Sequence, residues 1–320
     1  MKKSTTKSEV KILGIDLAKQ SFQLHGVDEA GVTVLQKKLT RNKLMQFIAQ
    51  LPVCLIGIEA CGGSHHWMRR FKAHGHDVKM IAPQFVKPYV KSNKNDAVDA
   101  EAICEAVQRP SMRFVPGKSI EQQDQQSLHR IRSQLVARRT AQSNQIRGLL
   151  LEYGVTIPKG ISYVRKYIPS ILEDADNELS DLFREVLLEL YAEMKHFDER
   201  IQALESKLEA LSKQDENCQR LLSIPGIGLL TATALIAAIG DISVFKNGRE
   251  LASWIGLVPR QHSTGGKPTL LGISKRGDSY LRTLLIHGGR SVVRTADKHK
   301  DRKSGWVTEL AERRGKNIAS

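Results

Sequence analysis

Two apolar patterns divide the chain. In its first third, hydrophobic residues gather in short runs, and beyond that they recur in steps of three and four. Ile12, Leu13 and Ile15 predict a strand buried on both faces and ending at Asp16, and Gly14 within it allows another backbone to come close. Ser21 to Val27 alternates weakly, Asp28 to Gly31 is a turn, and Val32 to Lys38 is a third strand, giving an antiparallel meander. Thr40 caps a predicted helix to Gln50, with Leu44, Phe47, Ile48 and Leu51 on one face. Val53 to Glu59 repeats the opening theme, an apolar strand closed by a carboxylate. Gly62-Gly63 breaks it, Ser64 to His74 reads as a helix, and Asp77 to Ile81 as a last short strand. The order βββαβαβ predicts an α/β sheet with acids gathered at one edge.

The helical pattern then takes over. A helix over Asp96 to Cys104 follows Asn93 or Asn95 as cap. Lys118 to Tyr153 is a long basic helix, with Leu128, Ile131, Leu135, Ile146 and Leu149 at helical spacing. Phe183, Leu187, Leu190, Met194, Phe197, Ile201, Leu204, Leu208 and Leu211 follow alternating steps of four and three, a heptad seam. That seam pairs either with the preceding basic helix or with another subunit. Gln219 to Gly240 sets Ile224-Pro-Gly-Ile-Gly228 between two apolar helices, a helix-hairpin-helix pattern. A short helix over Glu250 to Leu257 and a closing helix over Asp278 to Thr295 complete the order. The tail from Lys298 is basic and polar and is expected to order only on nucleic acid.

Length and charge narrow the class. The 320 residues fit two or three domains, and the expected divisions are 1–117, 118–215 and 216–320. With 41% hydrophobic residues the chain builds real cores, and a net charge of +15 suits a polyphosphate partner. No apolar run approaches the roughly 18 to 20 residues of a spanning helix, so no membrane partner is expected. The first residues lack a hydrophobic signal core, which predicts a cytoplasmic, nucleoid-associated protein. Cys54, Cys61, Cys104 and Cys218 form no Cys-x-x-Cys pair, against a zinc knuckle or a disulfide framework.

The chemistry gathers on carboxylates and on one hydroxyl. Asp16 alone is a strand-end cap, and Asp96 and Asp99 alone are acids that favour a helix N-terminus. Asp16, Glu59, Asp96 and Asp99 together are hard oxygen ligands without sulfur, a set suited to Mg²⁺ or Mn²⁺. Two such cations can hold the attacking and leaving oxygens of a phosphodiester. Arg130, Arg132, Arg138, Arg139 and Arg147 on the long helix point to nucleic-acid backbone contact. The glycines Gly226 and Gly228 would let backbone N–H groups meet a phosphate. Ser263 lies in a glycine-flanked loop among Arg260, Lys267, Lys275 and Arg276, and by chemistry alone reads as part of a phosphate-binding loop. An unactivated serine is a poor nucleophile, and adjacent His262 is not placed in reach by adjacency.

These residues carry a resemblance. GID at 14–16, GIEA at 57–60 and KNDAVDAEAI at 94–103 resemble the DEDD-type insertion-sequence transposases, whose amino-terminal domain is similar to the RuvC Holliday-junction resolvase, an RNase H-like fold. GLVPRQHSTGGK and LGISKRGDSYLRTLLI resemble the carboxy-terminal transposase domain of family one-hundred-and-ten, shared with Piv-type DNA invertases. HSTGGK and the order of elements around it look more like the one-one-one-one subgroup. The resemblance implies a RuvC-like domain, a coiled-coil middle that mediates dimer assembly, and a mainly α-helical C-terminal domain. It further implies that Ser263 forms a covalent phosphoserine link with DNA. The usual second serine is Thr264 here, a reserve at most. Also implied are donor and target DNA, a structured guide RNA, and a dimer assembling to a tetramer in which the carboxylates and Ser263 form one composite site. Two rivals stand beside this reading: a RuvC-like endonuclease hydrolysing junctions with water, and a non-enzymatic nucleic-acid scaffold.

Overall fold

The computed structural model describes residues 9–90 and 96–319, apart from the side chain of Asp96. The chain divides into two compact units, the first ending at Ser119 and the second beginning at Ile120.

The first unit is a sheet covered on both faces. β1 (Ile12–Leu17), β2 (Ser21–Val27) and β3 (Thr33–Thr40) form the meander. After α1 (Arg41–Gln50), β4 (Leu55–Glu59) pairs parallel with β1. α2 (Ser64–Lys72) leads to β5 (Asp77–Ile81), parallel with β4, and then α3 (Pro83–Val86) and α4 (Asp96–Val107) precede the short antiparallel β6 (Phe114–Val115). The sheet order is β3-β2-β1-β4-β5-β6, a mixed α/β arrangement consistent with an RNase H-like domain.

The pleat sends alternate residues to opposite faces. Leu13, Ile15, Ile56, Ile58, Val78 and Met80 pack with Leu44 and Ile48 of α1 and with Trp67, Met68 and Phe71 of α2. Ile12, Leu55 and Ile81 face the other way, against Ala102, Ile103, Ala106 and Val107 of α4. Two glycines set how close α4 comes. A Cβ on Gly14 would lie 2.2 Å from the Ala100 carbonyl oxygen and 2.5 Å from the Cys104 nitrogen. A Cβ on Gly57, the register partner of Gly14, would lie 2.9 Å from Val107 Cβ. Glycine at both positions is a packing requirement, and the backbone that comes close at Gly14, as its sequence setting led one to expect, is that of α4.

The second unit is mostly helical. α5 (Ile120–Leu151), α6 (Ile161–Glu173) and α7 (Asp181–Gln214) share cores, with Ile146, Leu150, Val164, Ile168, Leu187 and Met194 in one cluster and Leu135, Phe197 and Ile201 in another. The heptad seam of α7 is therefore covered within the chain, by α5 and α6. α8 (Glu216–Leu222), α9 (Leu229–Ile239) and α10 (Gly248–Ile255) follow, then a hairpin of β7 (Pro259–Thr264) and β8 (Lys267–Ile273), and α11 (Ser279–Thr295).

The tail corrects the expectation of order only on nucleic acid. It forms α12 (Arg302–Arg314) and α13 (Lys316–Ala319). Asp301 caps α12 by accepting from the Lys303 and Ser304 amides, both at 3.0 Å, and Val307 is buried. A strong N-cap and one apolar anchor outweighed the basic composition. The caps proposed at Asn93 and Asn95 lie outside the described residues. Thr40 does precede α1, but its side chain makes no capping bond.

Candidate active site and nucleic-acid interface

Asp16 and Glu59 close adjacent parallel strands. Gly14 pairs with Gly57 and Ile15 with Ile58, so the next residue of each strand is a carboxylate at the same height. By the same alternation, Ile12, Gly14 and Asp16 share a face with Leu55, Gly57 and Glu59, the face that α4 covers. The contacts along α4 fix its direction. Ile103 and Val107 pack in the cluster that holds Ile12 and Leu55, whereas Ala100 lies over Gly14. Its opening turn, with Asp96 and Asp99, therefore lies toward the Asp16 and Glu59 end.

Asp16, Glu59 and Asp99 are half-buried. The Cys61 thiol lies beside both strand ends, two residues past Glu59 and against Leu17. Burial first, then the charges of Glu59 and Asp16, raise it above the ordinary thiol range. Cys61 Sγ also donates to the Leu17 carbonyl at 3.9 Å. Among the described residues, no three His, Cys, Asp or Glu side chains converge closely enough to hold a metal ion; the Asp96 side chain is not among those described. The donor set, all carboxylate oxygens on rigid elements, fits a hard divalent cation.

Ser263 stands in different surroundings. The expected glycine-flanked loop is a β-hairpin, and Ser263 lies on its first strand, opposite Pro268. Thr264 pairs with Lys267 across Gly265 and Gly266, whose φ angles of 58° and 75° make a two-residue turn of the I′ type. A Cβ on either glycine would meet nothing within 4 Å, so the requirement is conformational. Every residue of β7 is exposed. Gln261, two positions back on the same face, donates through Nε2 to Ser263 Oγ at 2.7 Å. His262 alternates to the opposite face. The sequence reading missed Gln261; an i, i+2 search would have found it had the strand been recognised, and Thr-Gly-Gly-Lys between two short runs is such a hairpin signal.

The root of the hairpin is held firmly. Ser274 and Lys275 donate backbone bonds to the carbonyls of Val258 and Gly256, at 2.8 and 3.1 Å. Arg282 Nη1 of α11 donates to the Ile255 and Arg276 carbonyls at 2.9 and 3.0 Å. Arg260, Lys267, Lys275 and Arg276 are all exposed.

Two profiles of known families match this chain. One, described as a DEDD transposase of the IS110 type, matches residues 13–155; the other, the Transposase IS116/IS110/IS902 family, matches 218–304. The chain belongs to the IS110 family of transposases. It is 49% identical over 318 residues to the transposase for insertion sequence element IS1111A of Coxiella burnetii, covering 99% of this chain and 87% of that protein. A probable family 20 transposase of Pseudomonas aeruginosa is 49% identical over 309 residues, 96% of this chain and 91% of the relative. The transposase for element IS1328 of Yersinia enterocolitica is 42% identical over 311 residues, 97% and 92% of the two chains.

In this transposase the five arginines of α5 divide. Arg130 and Arg138 are exposed. Arg132 pairs with Glu205 at 2.6 Å, Arg139 with Asp198 at 2.7 Å, and Arg147 Nε donates to the Ile157 carbonyl at 3.1 Å. The acids opposing Arg132 and Arg139 stand on α7, more than fifty positions away in sequence, which is why all five arginines pointed to backbone contact in the sequence. Burial pushes the Asp198 carboxyl up, but hydrogen bonds from Arg165 and Arg139 outweigh it and hold it below the ordinary carboxylate range.

Gly226 also has a packing role in the transposase. A Cβ there would meet Val292 Cγ2 at 2.9 Å, and a Cβ on Gly288 of α11 would lie 1.9 Å from the Gly226 carbonyl oxygen. Gly228 caps α9 in open space, beside a groove of about 630 Å³ that includes Thr231, His287 and Ser291.

His129 escaped the sequence reading. It is buried, with Nδ1 3.1 Å from Tyr280 Oη and Nε2 3.0 Å from Thr233 Oγ1. Thr233 spends its hydroxyl hydrogen on the Leu229 carbonyl at 2.7 Å, so it accepts from Nε2–H and leaves Nδ1 to accept from Tyr280. The imidazole is thus neutral, and burial first, then Arg132, lower its pKa to about 4. His129 thus joins α5 to α9 and α11, and Arg132, three positions on, joins α5 to α7 through Glu205.

Proposed function

We propose that the transposase cuts and rejoins DNA through a serine nucleophile and a carboxylate-held divalent metal. What supports the reading above all is the alignment of Asp16 and Glu59 at neighbouring strand ends, on the face and at the end where α4 begins. Asp16, Glu59, Asp96 and Asp99 are the residues that would hold Mg²⁺ or Mn²⁺. When bound, the cation would supply Lewis-acid stabilisation of charge on the scissile phosphate. Ser263 Oγ, oriented by Gln261, loses its proton and bonds to phosphorus while the phosphorus–O3′ bond breaks. The departing 3′ oxygen gains a proton, and the reverse step on another 3′ hydroxyl rejoins the strand. Arg260, Lys267, Lys275 and Arg276 would offset charge at the phosphate.

The finer assignments follow the same reading. Residues 1–117 bear the metal site, 118–215 the coiled-coil assembly and RNA-binding region, and 216–320 the serine domain. The α8–α9 turn acts as a helix-hairpin-helix at which Gly228 and the N-terminus of α9 meet a phosphate. Arg130 and Arg138 are the cations of α5 best placed for backbone contact; Arg132, Arg139 and Arg147 are engaged within the chain and contribute less. The protein works on the nucleoid as a dimer assembling to a tetramer, with donor DNA, target DNA and a structured guide RNA.

One assay tests the core of this. Labelled donor DNA is incubated with the protein, Mg²⁺ and the RNA transcribed from the element, then resolved in SDS. The expected result is a metal-dependent covalent adduct that Ser263→Ala abolishes and Asp16→Asn reduces by about 10² to 10³-fold. Adduct formation by Ser263→Ala would remove the serine assignment; cut ends without adduct would favour hydrolysis by water.

A further inference from the structure

Lys275 holds a backbone conformation that costs an ordinary L-residue free energy and glycine none. Its φ is 55°, and among the described residues it is the one residue other than glycine with a positive φ. It stands in the segment between β8 and α11, at the root of the ribbon that carries Ser263. The conformation is imposed by what surrounds it. Lys275 N–H donates to the Gly256 carbonyl at 3.1 Å, and Ser274 N–H to that of Val258 at 2.8 Å. On the other side, Arg276 lies against Gly256, where a Cβ would come 2.0 Å from the Arg276 carbonyl oxygen. A Cβ on Gly277 would come 2.0 Å from the Trp254 carbonyl oxygen. Arg282 Nη1 grips the same Arg276 carbonyl at 3.0 Å. None of these contacts uses the Lys275 side chain, which is exposed.

Such a position suits glycine, and the same crossing places glycine at positive φ twice, at Gly256 and Gly277. Backbone strain that the surroundings over-determine collects where a side chain has a task. We propose that lysine is kept at 275 for its ammonium, which tethers one phosphate of the DNA strand being cut. This deepens the reading of the serine hairpin and rests on it. The phosphate held is not the one attacked. Pro259 pairs with Ile273 and Ser263 with Pro268, so the root lies about 13 Å down the ribbon from the serine, more than a lysine side chain spans. With one charge per roughly 3.4 Å of each strand, the tethered phosphate stands a few nucleotides from the cut. Because the backbone under Lys275 is pinned before and after it, the tether sets which phosphate Ser263 meets. Lys275 is thus a positioning residue.

The test walks single uncharged methylphosphonates along the donor strand on either side of the cut. Binding by the full chain, with Mg²⁺ and the RNA transcribed from the element, is read by fluorescence anisotropy. One position a few nucleotides from the cut should weaken wild-type binding about 5-fold and leave Lys275→Gly indifferent. Lys275→Gly should also lower the slope of log K against log salt by about 0.9 on duplex DNA, whereas Lys275→Arg should keep both the slope and the sensitive position. Stability separates strain from charge. Lys275→Gly and Lys275→Ala both lack the ammonium and should bind alike. Lys275→Gly should melt about 2 °C above Lys275→Ala, because glycine alone accepts the positive φ without cost. Methylphosphonate effects that are equal in wild type and Lys275→Gly at every position overturn the proposal, as does Lys275→Gly melting below Lys275→Ala. Binding carries the test without strand cutting, so its failure is separable from failure of the proposed function. A tethered phosphate without any adduct defeats only the serine chemistry, and adducts without a tethered phosphate defeat only the tether.

Discussion

The carboxylate end of the sheet and the serine hairpin are built in opposite ways. Asp16 and Glu59 close strands that are paired on both sides and covered by helices on both faces. Ser263 stands on a two-stranded ribbon that is exposed along its first strand and fixed only at its root. An isolated two-stranded hairpin is marginal in water, so its order comes from the anchor below it. The contrast fits the two tasks proposed for them. Carboxylates that hold a cation must be set before it arrives, because their mutual repulsion opposes assembly. A nucleophile carried on a ribbon needs reach and a secure base.

The largest effect is expected at Gly14. Gly14→Val drives a side chain into the Ala100 carbonyl and should cost on the order of 4 kcal/mol in urea unfolding or prevent folding, because the obstacle is backbone. A loss below about 1 kcal/mol would mean that α4 is not seated as described.

The helical base under the ribbon is tested through His129. Its pKa is lower folded, about 4, than unfolded, about 6.5, so the unfolded chain binds more protons between these values. The stability it contributes is full above about pH 6.5 and is lost as pH falls toward 4, on the order of 3 kcal/mol in total. Urea midpoints across that range should fall with acidity, and His129→Gln should flatten the part due to this residue.

Arg282→Ala sharpens the contrast at the anchor. Two carbonyls lose their donor, a cost of about 1 to 3 kcal/mol, and amide exchange in β7 and β8 should accelerate while the first unit's sheet is unaffected. The smallest effect is expected at the tip, where Gly265→Ala costs about 1 kcal/mol by thermal melt because only the positive φ opposes it.

The sheet was legible because its burial is local. Unbroken apolar runs ending at Asp16 and Glu59 name buried strands without knowledge of their neighbours. The long helices were legible for the same reason, through spacing. What escaped depends on distant partners. The acids opposite Arg132 and Arg139 stand on another helix, the partners of His129 come from two more, and Gly57 declares its purpose only when α4 lies over it. The hairpin was missed for a different reason: its exposed strands lack the apolar alternation that marks a sheet with one buried side.

The meeting of Gly226 with Gly288 limits how this sequence can drift. Each would place a first side-chain carbon against the other's main chain, 3.0 Å from the Gly288 oxygen in one case and 1.9 Å from the Gly226 oxygen in the other. Ordinary neighbours in a core can exchange volume, one shrinking as the other grows. Here neither has any side chain to give up, so no change at one site licenses a change at the other. A saturation library should find both positions closed even to alanine, singly and as a pair, so that α11 and the turn before α9 stay locked together through any lineage that keeps this fold.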